Sequence, residues 1–221
     1  MVAYYPDLIA ANLPQLKDAR FLHPYFGLHR PHDFKKRAET YFMEEFNIPK
    51  RETAAAVKAA YDAFKNDLRK TADEYIAYAR ERDLPIMVVA GRPYHTDPEV
   101  NHGINELVTG FGFVLITEDS VAYHMDKAPR KVLNQWTYHA RMYNAARYVC
   151  TQPDMELIQL VSFGCGVDAI TTDEMRTILE DGGKLYTQLK IDDISNLGAV
   201  KIRIRSLIAA IEARKARESQ G

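Results

Sequence analysis

Pro85-Ile86-Met87-Val88-Val89-Ala90-Gly91 decides how the rest of the chain is read. It is a short, unbroken apolar run that stops at a glycine. A half-buried strand would alternate, so this pattern predicts a strand covered on both faces, as in a parallel sheet. Working outward toward the carboxyl end, residues 98–109 read as a helix stopped by Gly110, and Phe113-Val114-Leu115-Ile116-Thr117 as a second strand. A helix over 130–148 leads to a third strand, Leu157-Ile158-Gln159-Leu160-Val161. A helix over 172–180 closes at Gly182-Gly183 before a fourth strand over 184–191, and a last helix over 196–217 turns Ile202, Leu207, Ile208 and Ile211 inward. Strands alternating with helices predict an α/β fold: a flavodoxin-like or Rossmann-like parallel sheet of about four strands with helices on both faces.

Toward the amino end the texture changes near residue 84. Residues 1–83 read as a helical lead-in packing on the main domain, 84–221. Asp33 caps one expected helix, which ends before Pro49. A longer helix over 51–82 carries Val57, Tyr61, Phe64, Leu68, Ala72, Tyr75 and Ala79 three and four residues apart on one face, a stripe that needs a covering surface.

Composition narrows the function classes. The 221 residues carry 29 Lys and Arg against 30 Asp and Glu, a formal net charge of −1, which leaves no basic footprint for nucleic acid. No apolar run reaches the roughly 18 residues of a membrane span, and the amino end lacks the basic-then-apolar order of a signal peptide. The expected compartment is the cytoplasm. Two cysteines, Cys150 and Cys165, exclude a disulfide scaffold and any complete all-cysteine metal site within one copy.

In open parallel sheets ligands bind beyond the carboxyl ends of the strands. Those ends read Gly91-Arg92-Pro93-Tyr94-His95-Thr96-Asp97, Glu118-Asp119-Ser120, Ser162-Phe163-Gly164-Cys165-Gly166-Val167-Asp168 and Asp192-Asp193. Polar, titratable and glycine residues therefore collect at one edge. Cys165, between two glycines where a strand turns into a helix, is the first candidate, because a helix amino end favours its thiolate as nucleophile or metal ligand. Cys150 precedes the third strand, which spans about 17 Å, so it reads as structural. His95 shares the edge with Cys165 and is the candidate base or cluster neighbour; His102 is an alternative base. His139, taken as mid-helix beside Trp136 and Tyr138, reads as packing. Gly91, Arg92, His95, Ser162, Gly164 and Gly166 form the expected cofactor-binding set, with Arg92 suited to a phosphate or carboxylate. Neither G-x-G-x-x-G after the first strand nor G-x-x-x-x-G-K-S/T occurs.

The strings G-R-P-Y-H-T-D-P-E-V-N-H-G-I (91–104), L-N-Q-W-T-Y-H-A-R-M-Y (133–143), S-F-G-C-G-V-D-A-I-T-T-D-E (162–174) and K-I-D-D-I-S-N-L-G-A-V-K-I-R-I-R-S-L (190–207) resemble a known family. They are similar to the carboxy-terminal region of large proteins related to 2-hydroxyacyl-CoA dehydratases and their activators, the 2-hydroxyglutaryl-CoA dehydratase activator or CoA-substrate-specific enzyme activase group. The resemblance covers nearly the whole chain. It implies an anaerobic system in which an ATP-hydrolysing activator bearing an iron–sulfur cluster of the 4Fe–4S kind passes a low-potential electron to a dehydratase-type component that holds a further cluster. It implies Cys165 as a cluster ligand. It also implies other domains or partner subunits, among them an ATPase activator, with acyl-CoA and a homodimer as further candidate partners. The ATPase portion is not in this chain, and one thiolate does not make a stable cluster, so the chain is expected to act within a larger assembly. Two other readings stay open. One is a hydrolase or transferase using Cys165 with His95 or His102. The other is a non-catalytic CoA- or nucleotide-binding scaffold near Arg92.

Overall fold

In the computed structural model, residues 4–28, 30–125, 136–162, 166–191 and 197–218 are described. The four strands are β1 (Ile86–Ala90), β2 (Val114–Thr117), β3 (Met155–Val161) and β4 (Thr187–Lys190). All pairings are parallel, in the order β2-β1-β3-β4. Ile86 lies beside Val114 on one side and Met155 on the other, and Ile158 lies beside Thr187. β1 and β3 are central, which is why every residue of both is buried and why their sequences run apolar without alternation.

The pleat sends alternate residues of the strands to opposite layers. Ile86, Val88, Ala90, Met155 and Leu157 meet Met142, Tyr143, Ala146 and Val149 of α7 (Thr137–Cys150) and Met175 and Leu179 of α8 (Gly166–Asp181). Met87, Val89, Ile158, Leu160 and Leu189 meet Ile104 and Val108 of α5 (Ile104–Gly110) and Val200, Ile204, Leu207 and Ile211 of α9 (Gly198–Glu218). Helices thus cover both faces of a parallel sheet, the α/β arrangement that the sequence predicts.

Several boundaries differ from the sequence reading, among them the helix expected over 172–180, which runs Gly166–Asp181. β3 begins at Met155, two residues early, because Glu156 is buried inside it, held by Arg214 and by Lys184 Nζ at 3.6 Å. β4 is shorter than expected because Lys184 is taken by other bonds: its backbone N–H donates to Leu179 (2.8 Å), and Nζ donates to the carbonyls of Gln152 (2.7 Å) and Met155 (2.8 Å). The expected helix over 98–109 is two: α4 (Pro98–Asn101), capped by Asp97, and α5. His102 (φ 54°) and Gly103 (φ 86°) break it by adopting the left-handed region. The helix expected from 130 begins at Thr137 among the described residues.

The chain divides into two compact units, Met1–Lys65 and Asn66–Gly221. The first holds α1 (Tyr5–Asn12), a 3₁₀ turn at Pro14–Asp18 and α2 (Pro31–Phe46). α2 starts on Pro31, with Asp33 in its first turn and not at the cap, and ends on a left-handed Asn47. Its aromatic set, Phe26, Phe34, Tyr41 and Tyr61, packs edge to face at 5.3–5.9 Å. α3 (Lys50–Glu81) runs across residues 65 and 66. Within the second unit its buried face is Ala72, Ile76 and Ala79 and Tyr75 of the expected stripe is exposed; within the first, Phe64 of that stripe is exposed as well. No helix among the described residues is long and apolar enough to cross a membrane.

Candidate functional site at the carboxyl edge of the sheet

With strand order β2-β1-β3-β4, chain connections diverge between β1 and β3, and the switch-point crevice opens beyond their carboxyl ends. Ser162 follows β3, and Gly91 follows β1. Here the backbone turns so that His95, 1% exposed, folds back against Gly91; a Cβ on residue 91 would lie 2.5 Å from His95 Nδ1. Glycine is required for that approach.

Both nitrogens of His95 are engaged. The Arg92 backbone N–H donates to Nδ1 at 3.1 Å, so the ring proton resides on Nε2, 3.1 Å from Ser162 Oγ. Burial, followed by the Arg92 charge, pushes this imidazole down to about 4, so it is neutral near pH 7. Tyr94 joins the same set, its hydroxyl 3.2 Å from Ser162 Oγ and 3.1 Å from Arg92 Nη1.

Arg92 reaches across the crevice to α8, donating from Nη2 to Asp168 Oδ2 at 2.8 Å, with side chains only 15% and 12% exposed. Burial alone would lower the guanidinium, but its bonds to Asp168 and Tyr94 outweigh that and hold it firmly charged. Asp168 Oδ1 faces His139 Nε2 at 3.7 Å, beyond hydrogen-bond reach. His139, buried and lowered first by desolvation, belongs to this site. The sequence reading missed it because a helix started at 130 makes residue 139 mid-helix. The observed start at Thr137 puts it in the first turn, at the strands' carboxyl edge. A helix start placed at Trp136 would have revealed it.

Of the expected site residues, Gly91, Arg92, His95 and Ser162 come together, and Gly166 opens α8. Cys165 and Gly164 lie outside the described residues, as do Asp192 and Asp193. His102 is exposed at the α4–α5 break, outside the bonded set. Cys150 sits elsewhere, half-buried, its Sγ 3.4 Å from the Ile178 carbonyl and its thiol pushed up by burial, in a cleft of about 760 Å³ with Pro153, Gly182, Lys184 and Arg214. That cleft lies at the amino edge of the strands, away from the titratable cluster. Two of its cations are committed, Lys184 to backbone carbonyls and Arg214 to Glu156.

A family described as CoA enzyme activase uncharacterised domain (DUF2229) matches residues 1–121, more than half of the chain. The chain belongs to that family. This bears out the resemblance to activators of 2-hydroxyacyl-CoA dehydratases. The matched span of the CoA enzyme activase domain includes β1, the loop bearing Arg92 and His95, and β2, while Ser162, Asp168 and His139 follow it. No curated protein and no solved structure matches.

A further titratable residue at this edge, Glu118, follows β2. It is 4% exposed, pushed up to about 7 by burial and then by Asp119, against the opposing pull of Arg141 at 3.1 Å. A carboxyl raised in the folded state favours folding most below its ordinary value of 4.5, and that contribution is lost as pH rises through about 7. His95, lowered from 6.5 to about 4, does the opposite: it favours folding above 6.5, and the contribution is lost as pH falls toward 4. Each imposes a slope of up to roughly 1.4 kcal/mol per pH unit, so between about 4.5 and 6.5 they cancel. Glu118→Gln is expected to uncover the rising slope of His95 and to raise stability at pH 8 over wild type. Urea midpoints measured from pH 4 to 8 check this; parallel wild-type and variant curves would refute it.

Proposed function

We propose that the chain works within a 2-hydroxyacyl-CoA dehydratase-like, ATP-dependent system in the cytoplasm. Its α/β unit presents Cys165 as one thiolate of an iron–sulfur cluster completed by ligands on other domains or subunits. The described residues do not fit a cluster by themselves: Cys150 is the one cysteine among them, and no group of three or more His, Cys, Asp or Glu side chains is placed to hold a metal ion. Iron–sulfur clusters need several thiolates. When bound, such a group would supply one-electron transfer at low potential.

The observation that supports this reading is the bracing of both flanks of residues 163–165. Ser162, before them, is bonded to His95, and Asp168, after them, to Arg92. Both anchors belong to the one loop after β1, so the flanks are fixed in advance by bonds independent of any ligand. Preorganisation of that kind lowers the entropy lost when a residue is recruited to a shared site. A Cys165 nucleophile activated by His95 would need a free ring nitrogen, and both are engaged.

Purification under anaerobic conditions together with co-purifying partners tests the proposal. Cys165→Ser is expected to lose most of the bound iron and the associated visible absorbance, while Cys150→Ser keeps both. Full iron content in Cys165→Ser would overturn it.

A further inference from the structure

We propose that the first turns of α7 and α8 form a seat for an oxyanion, a carboxylate or phosphoryl group, that accepts a hydrogen bond from His139 Nε2–H. This goes beyond the cluster reading and does not rest on it. His139 is 4% exposed, and its Nε2 has no hydrogen-bond partner among the described residues. A buried ring N–H left without an acceptor is costly, and native proteins rarely tolerate one. The Asp168 carboxylate at 3.7 Å favours the tautomer with hydrogen on Nε2, so the missing group is an acceptor.

The surrounding charge also favours an acceptor oxygen. His139 is the third residue of the 14-residue α7, and Asp168 the third of the 16-residue α8. Two helix amino ends, each with partial positive charge, therefore meet where these side chains face one another. Asp168 by itself would repel an anion, but Arg92 holds it at 2.8 Å and neutralises it. Burial lowers His139, so it serves the seat as a hydrogen-bond donor more than as a counter-ion.

Trp136, the chain's single tryptophan, supplies the test. Its ring centroid is 6.2 Å from that of His139, so its emission reports on this seat. Inorganic phosphate and acetate are titrated separately into the full chain at pH 7, with chloride at matched ionic strength as the control. The expected result is a saturable emission change with at least one oxyanion, weakened about tenfold or more in His139→Ala and partly restored in His139→Gln, which keeps a donor. A response to phosphate alone assigns a phosphoryl seat, and one to acetate alone a carboxylate seat. If His139→Ala does not fold, the imidazole resonances of the wild-type protein decide: a phosphate- or acetate-dependent shift confined to His139 supports the seat. Emission that tracks ionic strength equally for all three salts, with unmoved His139 resonances, overturns it.

Discussion

Asp168→Ala is expected to destabilise the α/β unit by about 3 kcal/mol. The loss comes from what remains behind. Arg92 is only 15% exposed, and its bonds to Asp168 and Tyr94 hold it charged despite burial. A lysine in that position would escape by losing its proton; a guanidinium has no such exit. Truncating the carboxylate thus strands a buried charge, the costly way of breaking a buried pair. Replacing both partners together, as in Arg92→Met with Asp168→Leu, is expected to recover most of the loss, because the desolvation of both ions disappears with them. Urea midpoints of Arg92→Met, Asp168→Leu and the double variant give the coupling. A double variant as unstable as the sum of the singles would show that the pair does not act as a unit. The same substitution unties the far flank of residues 163–165, so under the proposed function it also lowers iron content.

How much of this was legible beforehand depends on the range of the interactions involved. β1 and β2 were readable within a residue because burial on both faces writes itself as a local apolar run. β3 was cut short because Glu156 looks like a surface residue; its burial depends on Arg214, 58 residues away, and no local pattern announces such a partner. Strand ends with polar and glycine residues located the crevice, since parallel topology alone sends them to one edge. Its membership was harder to read. His95 reads from the sequence as a base, yet the backbone N–H of Arg92 occupies its Nδ1, a bond set by a 3₁₀ turn (Pro93–Thr96) that the residue types do not signal. His139 escapes the sequence because the expected helix runs on through Trp136, whose extended backbone caps α7 just before Thr137, so a first-turn residue reads as mid-helix. Phe64 and Tyr75 failed as core for the reverse reason: hydrophobic spacing specifies a face, but tertiary contacts choose how far round the helix that face extends.

Gly182→Ala is expected to cost about 3 kcal/mol or more, the second large effect, and it tests the opposite edge of the sheet. A Cβ at residue 182 would meet Cys150 Sγ well inside van der Waals contact, lie 2.7 Å from Cys150 Cβ and 3.2 Å from the Ile178 carbonyl oxygen. None of these neighbours is the loose end of a flexible side chain. Cys150 ends α7 with its thiol bonded to Ile178 of α8, so relief requires the two helices to separate where Val149 and Leu179 pack in the core. Cys150→Ala in the same background removes the sulfur but leaves the Cβ clash, so it is expected to restore part of the loss and no more. Cys150→Ala alone should be mild, costing a small cavity and a weak S–H bond. The readout is a thermal or urea midpoint for wild type, both singles and the double. Full recovery in the double variant would mean that the sulfur alone fills the space, and no recovery would place the strain at the Cβ of residue 150 and the Ile178 carbonyl. In either case Trp136 emission in the folded protein should stay as in wild type, because the amino-edge contact shares no residue with the crevice.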